Sequence, residues 1–383
     1  MRFATRTCRF LATLLLLSSS VPAVAGESVT SGYSKGFFMR STDDAHALKL
    51  QGRLQARYVF ESIESGIDES AFSIPRARLT FSGHAYAPTL NYQLQIDFGK
   101  GSFALKDFYA DYQLIKGLLH VRAGQYKKPF SRQQINSSGR LEIMERAITD
   151  KYFGAGRDIG LALHNNYEKS PTLEYAVGIF NGTGDEAHFA GDVVVDVESH
   201  EGTVEGGKFT NVPQRFHPML VARIGYNHGG IKGYREADLE GGPLRFAVAV
   251  GVAADFNADG DRDSGVVGEL DAMVKMHGMS ASGGIYVSSA QARRRFKSQA
   301  YEAFGFHLQA GYVMADRFQP VIRYARIMPD ASADNRQELL TGVTVYFFGH
   351  SVKWQLDGGA LITETPEGRN TDTLVRTQVQ LAF

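Results

Sequence analysis

The stretch Leu374-Val375-Arg376-Thr377-Gln378-Val379-Gln380-Leu381-Ala382-Phe383 alternates in polarity through its middle. Val375, Thr377, Val379, Leu381 and Phe383 fall on one face, and Arg376, Gln378 and Gln380 fall on the other. Successive side chains of a β-strand point to opposite faces, so this segment is a strand with one apolar and one polar side. A strand of about 9–11 residues with that pattern is what a membrane-spanning barrel needs. Its apolar face meets lipid and its polar face meets water, so function is expected on the polar face.

The same alternation predicts strands over roughly 47–60, 73–86, 89–98, 103–115, 118–126, 156–166, 172–180, 215–226, 243–254, 266–277, 279–289, 301–313, 317–327, 336–347, 350–362 and 372–383. The expected fold is all-β, an antiparallel transmembrane β-barrel of about 16 strands with both termini on one side. Turns at Ala87-Pro88, Lys116-Gly117, His277-Gly278, Met314 to Asp316 and Phe348-Gly349 are tight, while 61–72, 127–155, 181–214, 255–265, 290–300 and 363–371 are long. Short periplasmic turns and longer outer loops are the outer-membrane pattern. The 227–242 connection breaks it, being long where a short turn belongs. No apolar run beyond the N-terminus approaches the ~18 residues of a membrane helix.

Arg2, Arg6 and Arg9, the apolar Phe10–Leu17 run and Ala23-Val24-Ala25 read as a cleaved signal peptide over 1–25. A short periplasmic segment over 26–46 and a barrel over 47–383 are expected to follow. The single cysteine, Cys8, falls in that leader, so no disulfide is expected. Basic and acidic residues balance at 41 each, and the leader removes three arginines and no acid. Nothing in that total points to nucleic acid, and charge selectivity has to come from local placement.

Parity places Lys49, Gln51, Arg53, Gln55 and Arg57 of the first strand, and Arg76, Arg78 and His84 of the second, on the polar face. A charge on the lipid face costs up to ~2–4 kcal/mol at the membrane midplane, so these residues are lumenal. About sixteen strands leave a water-filled channel. When the barrel closes, Arg376, Lys49, Arg53, Arg57, Arg76 and Arg78 lie on neighbouring strands and form a basic wall, beside which Asp97, Asp107 and Asp111 begin an acidic one. Arg122, Arg245, Lys275, Arg323 and Lys353 also face inward by parity. Opposed walls set up a transverse field; a mutually neutralised lumen is the alternative.

The 127–155 connection is the candidate for a loop folded into the pore. Leu141, Met144 and Ile148 share one face of a short helix expected after a Ser137 or Ser138 cap. It carries Lys127, Lys128, Arg132, Arg140, Arg146 and Lys151 against Glu142, Glu145 and Asp150. Folded inward it would place cations at the channel waist; lying over the mouth it would not.

The segments GFFMRSTDDAHALKLQGRLQARY (36–58), GQYKKPFS (124–131), SSGRLEIMER (137–146) running into GRDIGLALH (156–164), and GYREADLEGGPLRFAVAVGV (233–252) resemble the phosphate-selective porin O and P family of Gram-negative bacteria. The resemblance covers essentially the whole chain after the leader, and the order of the motifs carries it. It implies a sixteen-stranded, homotrimeric outer-membrane porin whose third outer loop folds inward, with arginines and lysines guiding phosphate or polyphosphate. Lipid, lipopolysaccharide and small anions are the implied partners.

Three further features point less far. Asp255, Asn257, Asp259 and Asp261 match the start of a calcium loop, but Val266 stands where its bidentate glutamate belongs, so tight calcium binding is not expected; a plain acidic loop is the reading, a weak outer-loop ion site its alternative, and no cofactor is expected. Arg293, Arg294, Arg295 and Lys297 form a basic run on an outer loop. Phe383 resembles the C-terminal signal of outer-membrane barrels. His84, His120, His164 and His307 are inward by parity, but no motif assembles a nucleophile and base, so no enzyme is expected. A general diffusion pore is the rival within the channel class, and a non-conducting adhesin is the rival outside it.

Overall fold

The computed structural model describes residues 28–64, 66–186, 188–196, 201–213, 216, 218–256, 264–294, 297–330 and 334–383. The expected leader, and Asn257, Asp259 and Asp261 of the calcium-like motif, lie outside the described residues, as do the side chains of the Arg293–Lys297 run. Among the described residues there are twenty strands: β1 (Val29–Tyr33), β2 (Phe37–Ser41), β3 (Ala47–Ser62), β4 (Glu69–Ala85), β5 (Ala87–Asp97), β6 (Ala104–Ile115), β7 (Leu119–Lys127), β8 (Arg157–His164), β9 (Leu173–Phe180), β10 (His188–Asp196), β11 (Glu201–Thr210), β12 (Met219–His228), β13 (Arg245–Asp255), β14 (Ser264–Met276), β15 (Met279–Arg294), β16 (Lys297–Tyr312), β17 (Phe318–Pro329), β18 (Asn335–Phe348), β19 (Val352–Thr365) and β20 (Gly368–Ala382).

Sixteen of them, β3–β9 and β12–β20, pair antiparallel with their neighbours and close into a barrel. The seam is β20 on β3, with Thr373 opposite Ser62 and Ala382 opposite Arg53. The ladder is bridged over the β10–β11 hairpin by β9 pairing β12, Phe180 opposite Met219. Phe383 ends that seam by exchanging two backbone hydrogen bonds with Gly52 at 2.9 and 3.0 Å. Its ring lies so close over Gly52 that a Cβ there would sit 2.3 Å from it, which only glycine permits. Where β20 stops, β2 takes its place along β3, with Phe37 opposite Leu50.

Alternation works as the sequence expects. Leu161, Val177, Ile224, Val250, Leu270, Ile285, Leu308, Ile322 and Val379 are exposed on the outside, while Gln55, Glu174, Arg223, Asp271, Gln309, Arg323 and Lys353 are buried. That inversion of the soluble-protein rule marks a wall with lipid outside and charge inside. β4 departs from regular pairing beside Ile74 and Pro75, where the register against β3 shifts between Gln55 and Arg57. Proline has no N–H for a ladder, and a bulge accommodates it.

The interior is filled unevenly. Tyr126, Phe130, Phe153, Phe180, Val221, Tyr286 and Ile327 form an apolar cluster that joins residues of segment 128–156 to the wall. Solvent-filled space remains along β3–β7, where the candidate pathway runs.

Candidate solute pathway

Two cavities follow one another along that wall. One, of about 660 Å³, opens toward the short turns and is lined by Arg53, Arg78, Lys127, Arg140, Arg157 and Arg235 among others. The other, of about 930 Å³, opens toward the long connections and is lined by Arg57, Arg76, Arg78, Arg146, Lys151 and Arg376 among others. Arg78 lines both, which places the waist at its level.

The partners of these cations decide their electrostatic value. Arg78 Nε pairs with Asp97 at 2.6 Å and Arg157 Nε with Asp107 at 2.8 Å. Glu145 is shared by Arg57 and Arg76, each at 2.7 Å. Arg376 pairs with Asp357 at 2.7 Å. Arg53 and Lys127 differ, as does Arg140, whose bond goes to the Gly233 carbonyl: among the described residues none of the three has a carboxylate partner. Arg53 donates to Ser137 Oγ at 2.9 Å and Ser138 Oγ at 3.1 Å. Lys127 Nζ donates to the Ile135 and Asn136 carbonyls at 3.1 and 2.8 Å. Neutral oxygens orient these charges and leave them uncompensated.

Segment 128–156 supplies the opposite side of the pathway. It is tied to inward-facing side chains from β14 round to β4. Arg132 Nε bonds Asp271 at 2.8 Å; Arg323 Nη1 donates to the Glu145 carbonyl at 2.8 Å; Met144 N–H donates to Asp357 at 3.0 Å; Gln380 donates to the Gly139 carbonyl at 3.0 Å. The helix expected over Leu141, Met144 and Ile148 is absent. A 3₁₀ turn, Ser138–Arg140, is followed by irregular chain that bends over 142–145, and short helices α1 (Arg132–Ile135) and α2 (Ile148–Phe153) flank it. The physical reason is that wall side chains satisfy the backbone that a helix would satisfy itself. Thr344 and Gln355 donate to the Glu142 carbonyl at 2.9 and 3.0 Å, and Lys353 to that of Leu141 at 2.8 Å. Burial would raise the Glu145 carboxyl, but Arg76 and Arg57 outweigh it and hold it well below the usual carboxylate range.

The oversized 227–242 connection meets this segment. Tyr234 is buried and its hydroxyl donates to Glu174 at 2.9 Å; Arg140 Nη1 donates to the Gly233 carbonyl at 3.3 Å. Its length was the one signal in the sequence that something other than a turn stood there.

The expected site residues therefore divide. Arg53, Lys127 and Arg140 line the first cavity with Asp107; Arg57, Arg76, Arg146, Arg376 and Asp97 line the second; Arg78 lines both. Lys49 is half-buried and lines neither. Arg122, Lys128, Arg132 and Asp111 are buried in ion pairs and line neither, although Arg122 packs behind Tyr109 and Tyr126 of the first cavity's wall. Arg122 pairs with Asp111 at 2.8 Å and Glu168 at 3.0 Å, Lys128 with Asp158 at 3.1 Å, and Arg132 with Asp271 at 2.8 Å. The acids do not stand as a wall apart, since Asp97 and Asp107 bond arginines across the strands. Arg157 and Arg235 were not singled out by the sequence, and Glu145 reads there only as one acid of the loop. His120 and His164 both bond Asp111. Among the described residues no cluster of histidine, cysteine and acid is arranged to hold a metal.

Comparison with known proteins agrees with this geometry. Residues 48–339 match the family described as phosphate-selective porin O and P. An uncharacterized protein of Aquifex aeolicus (strain VF5) is 21% identical over 355 residues, covering 85% of this chain and 80% of that protein. The outer-membrane channel DcaP of Acinetobacter baumannii superposes with a TM-score of 0.61 at 13% identity, over 90% of this chain and 99% of that one. An anion-selective porin from Comamonas acidovorans gives 0.57 at 12%, over 88% and 100%. OmpF of Salmonella typhi gives 0.56 at 12%, over 92% and 100%. At these identities the solved structures share the barrel fold.

Proposed function

Because this chain belongs to the phosphate-selective porin O and P family, we propose that this outer-membrane porin passes small anions by passive diffusion and favours phosphate or polyphosphate. The observation that carries the reading is the pair Arg53 and Lys127, two lumen-lining cations held by neutral oxygens alone. An anion at the waist exchanges part of its hydration for their N–H donors, while a cation meets uncompensated positive charge in a confined, low-dielectric space. The guanidinium fork suits the oxygens of phosphate. Segment 128–156 acts as the constriction, setting Arg53 through Ser137 and Ser138. No reaction and no cofactor take part. The working unit is a homotrimer in lipid and lipopolysaccharide; a solved neighbour, OmpT of Vibrio cholerae, is described in a trimer form.

The pairing of Arg78 and Arg157 with carboxylates favours a second reading, a general diffusion pore with weak selectivity. Phosphate titration of the chloride current in a planar bilayer separates the two. Block at about millimolar phosphate, a Kd worth roughly 4 kcal/mol, supports the phosphate reading. A chloride current untouched by phosphate overturns it in favour of the general pore.

A further inference from the structure

Glu142 of segment 128–156 and Glu236 of the 227–242 connection meet as two buried carboxylates with no ion pair to either among the described residues. Gln309 Nε2 donates to both, at 2.7 Å to Glu142 Oε2 and 3.0 Å to Glu236 Oε2. Glu236 also accepts the Glu142 backbone N–H at 2.8 Å. Glu142 accepts further bonds from Gln319 at 2.5 Å and from the Ser280 hydroxyl. Each carboxylate thus belongs to a different inward-contacting segment, and their shared bonds join the two.

The charged groups around the pair do not neutralise it directly. Lys353 of β19 and Lys275 of β14 are buried nearby, yet their ammoniums bond the Leu141 and Ala237 carbonyls at 2.8 and 2.9 Å. Arg323 of β17 is spent on Glu338 at 2.7 Å, and Asp238 on Arg245. Tyr346 of β18 gives its proton to Gln319 at 2.6 Å. On the other side of Glu236 a small cavity separates it from Arg132, Asp271 and His307, and Arg132 is bonded to Asp271. Two like charges in this position cannot both be held without cost, and a single proton between them removes the repulsion.

We propose that the Glu142–Glu236 pair is a proton-operated latch that fastens segment 128–156 to the 227–242 connection and so steadies the pore beside it. The idea rests on the channel reading only for its electrical consequence. Burial, then the Glu236 carboxylate, push the Glu142 carboxyl up to about 7. A carboxyl raised above its ordinary value binds its proton more tightly when latched. The latch is therefore firm in acid and weakens as pH rises from the ordinary carboxylate range through about 7. Glu142 and Glu236 line neither cavity, so the latch governs steadiness and not charge selectivity.

Two measurements on the purified full-length protein test this. Amide hydrogen exchange of residues 141–147 and 231–238, corrected for the intrinsic pH dependence, reads the latch without any current. Protection should fall about tenfold from pH 5 to pH 8 in the parent protein, and stay high at both in Glu142→Gln. Single-channel recordings should show current fluctuations growing over the same interval, with the change abolished in Glu142→Gln and in Glu236→Gln. Protection independent of pH, or an unchanged pH response in both variants, overturns the latch. No current at any pH, with pH-dependent exchange intact, overturns the channel reading and leaves the latch standing.

Discussion

Arg53 Nη1 donates to Ser137 Oγ at 2.9 Å, joining the first barrel strand to the segment that crosses in front of it. The bond fixes a guanidinium in the lumen without cancelling its charge, which neighbouring Arg78, paired to Asp97, does not manage. On the proposed anion pathway, local charge of this kind would set selectivity in a chain whose basic and acidic residues are equal in number.

Reversing two of the uncompensated cations should reverse the preference of the pore. Arg53→Glu with Lys127→Glu is expected to move the zero-current potential in a salt gradient to the cation side. Arg122→Gln, which lines neither cavity, should leave the permeability ratio within about twofold of the parent, a difference of under ~0.5 kcal/mol.

Gly139 offers a gentler test of the same residue. A Cβ there would lie 2.4 Å from Arg53 Nη1, so Gly139→Ala must push the guanidinium aside. A partial loss of anion preference with an intact barrel is expected, read from the permeability ratio and from the heat-induced gel shift of the folded protein.

Glu145 holds Arg57 and Arg76 together. Glu145→Gln removes a half-buried, cavity-lining partner of two cations, a change expected to cost less than the roughly 3–5 kcal/mol of fully buried pairs. Denaturant unfolding should show that loss while the freed guanidiniums raise anion preference. Since the carboxyl of Glu145 is held below its ordinary range, its contribution is present above that range and lost only as pH falls through its lowered value. Anion preference should therefore stay level down to about pH 4, near the ordinary carboxylate value, and rise only below it, as protonation of Glu145 frees Arg57 and Arg76.

Arg223 is the counterpart with no part in the pathway. Fully buried, it bonds Glu174 at 3.0 Å, Glu269 at 2.8 Å and Asp271 at 2.7 Å. Arg223→Met leaves Glu269 without a basic partner among the described residues and Asp271 and Glu174 to Arg132 alone, and should destabilise the barrel by roughly 3–5 kcal/mol. Its permeability ratio in the folded fraction should match the parent, checked by unfolding and by bilayer recording.

The barrel was legible because a period of two is a local signal. Leu374–Phe383 reports its own faces, and sixteen such segments report a closed wall. The inward position of Arg53, Arg57, Arg76 and Arg78 follows from the same parity. What parity could not supply is who neutralises whom. Arg132 meets Asp271, and Arg76 meets Glu145, through contacts between segments far apart in the chain. Three basic residues of segment 127–155 therefore read alike in the sequence and divide in space: Lys127 faces the cavity, while Lys128 and Arg132 are spent on carboxylates. The helix expected over Leu141 to Ile148 failed for a related reason. Its apolar stripe is real, and Leu141 and Met144 are buried, but donors from β18 and β19 take over the backbone bonds.

The most direct test is the zero-current potential of the purified protein in a planar bilayer under a potassium chloride gradient. A potential set by chloride, reduced when Arg53 and Lys127 are neutralised to glutamine, is the expected result. A potential at zero or on the potassium side in the parent protein would contradict an anion pathway along the β3–β7 wall.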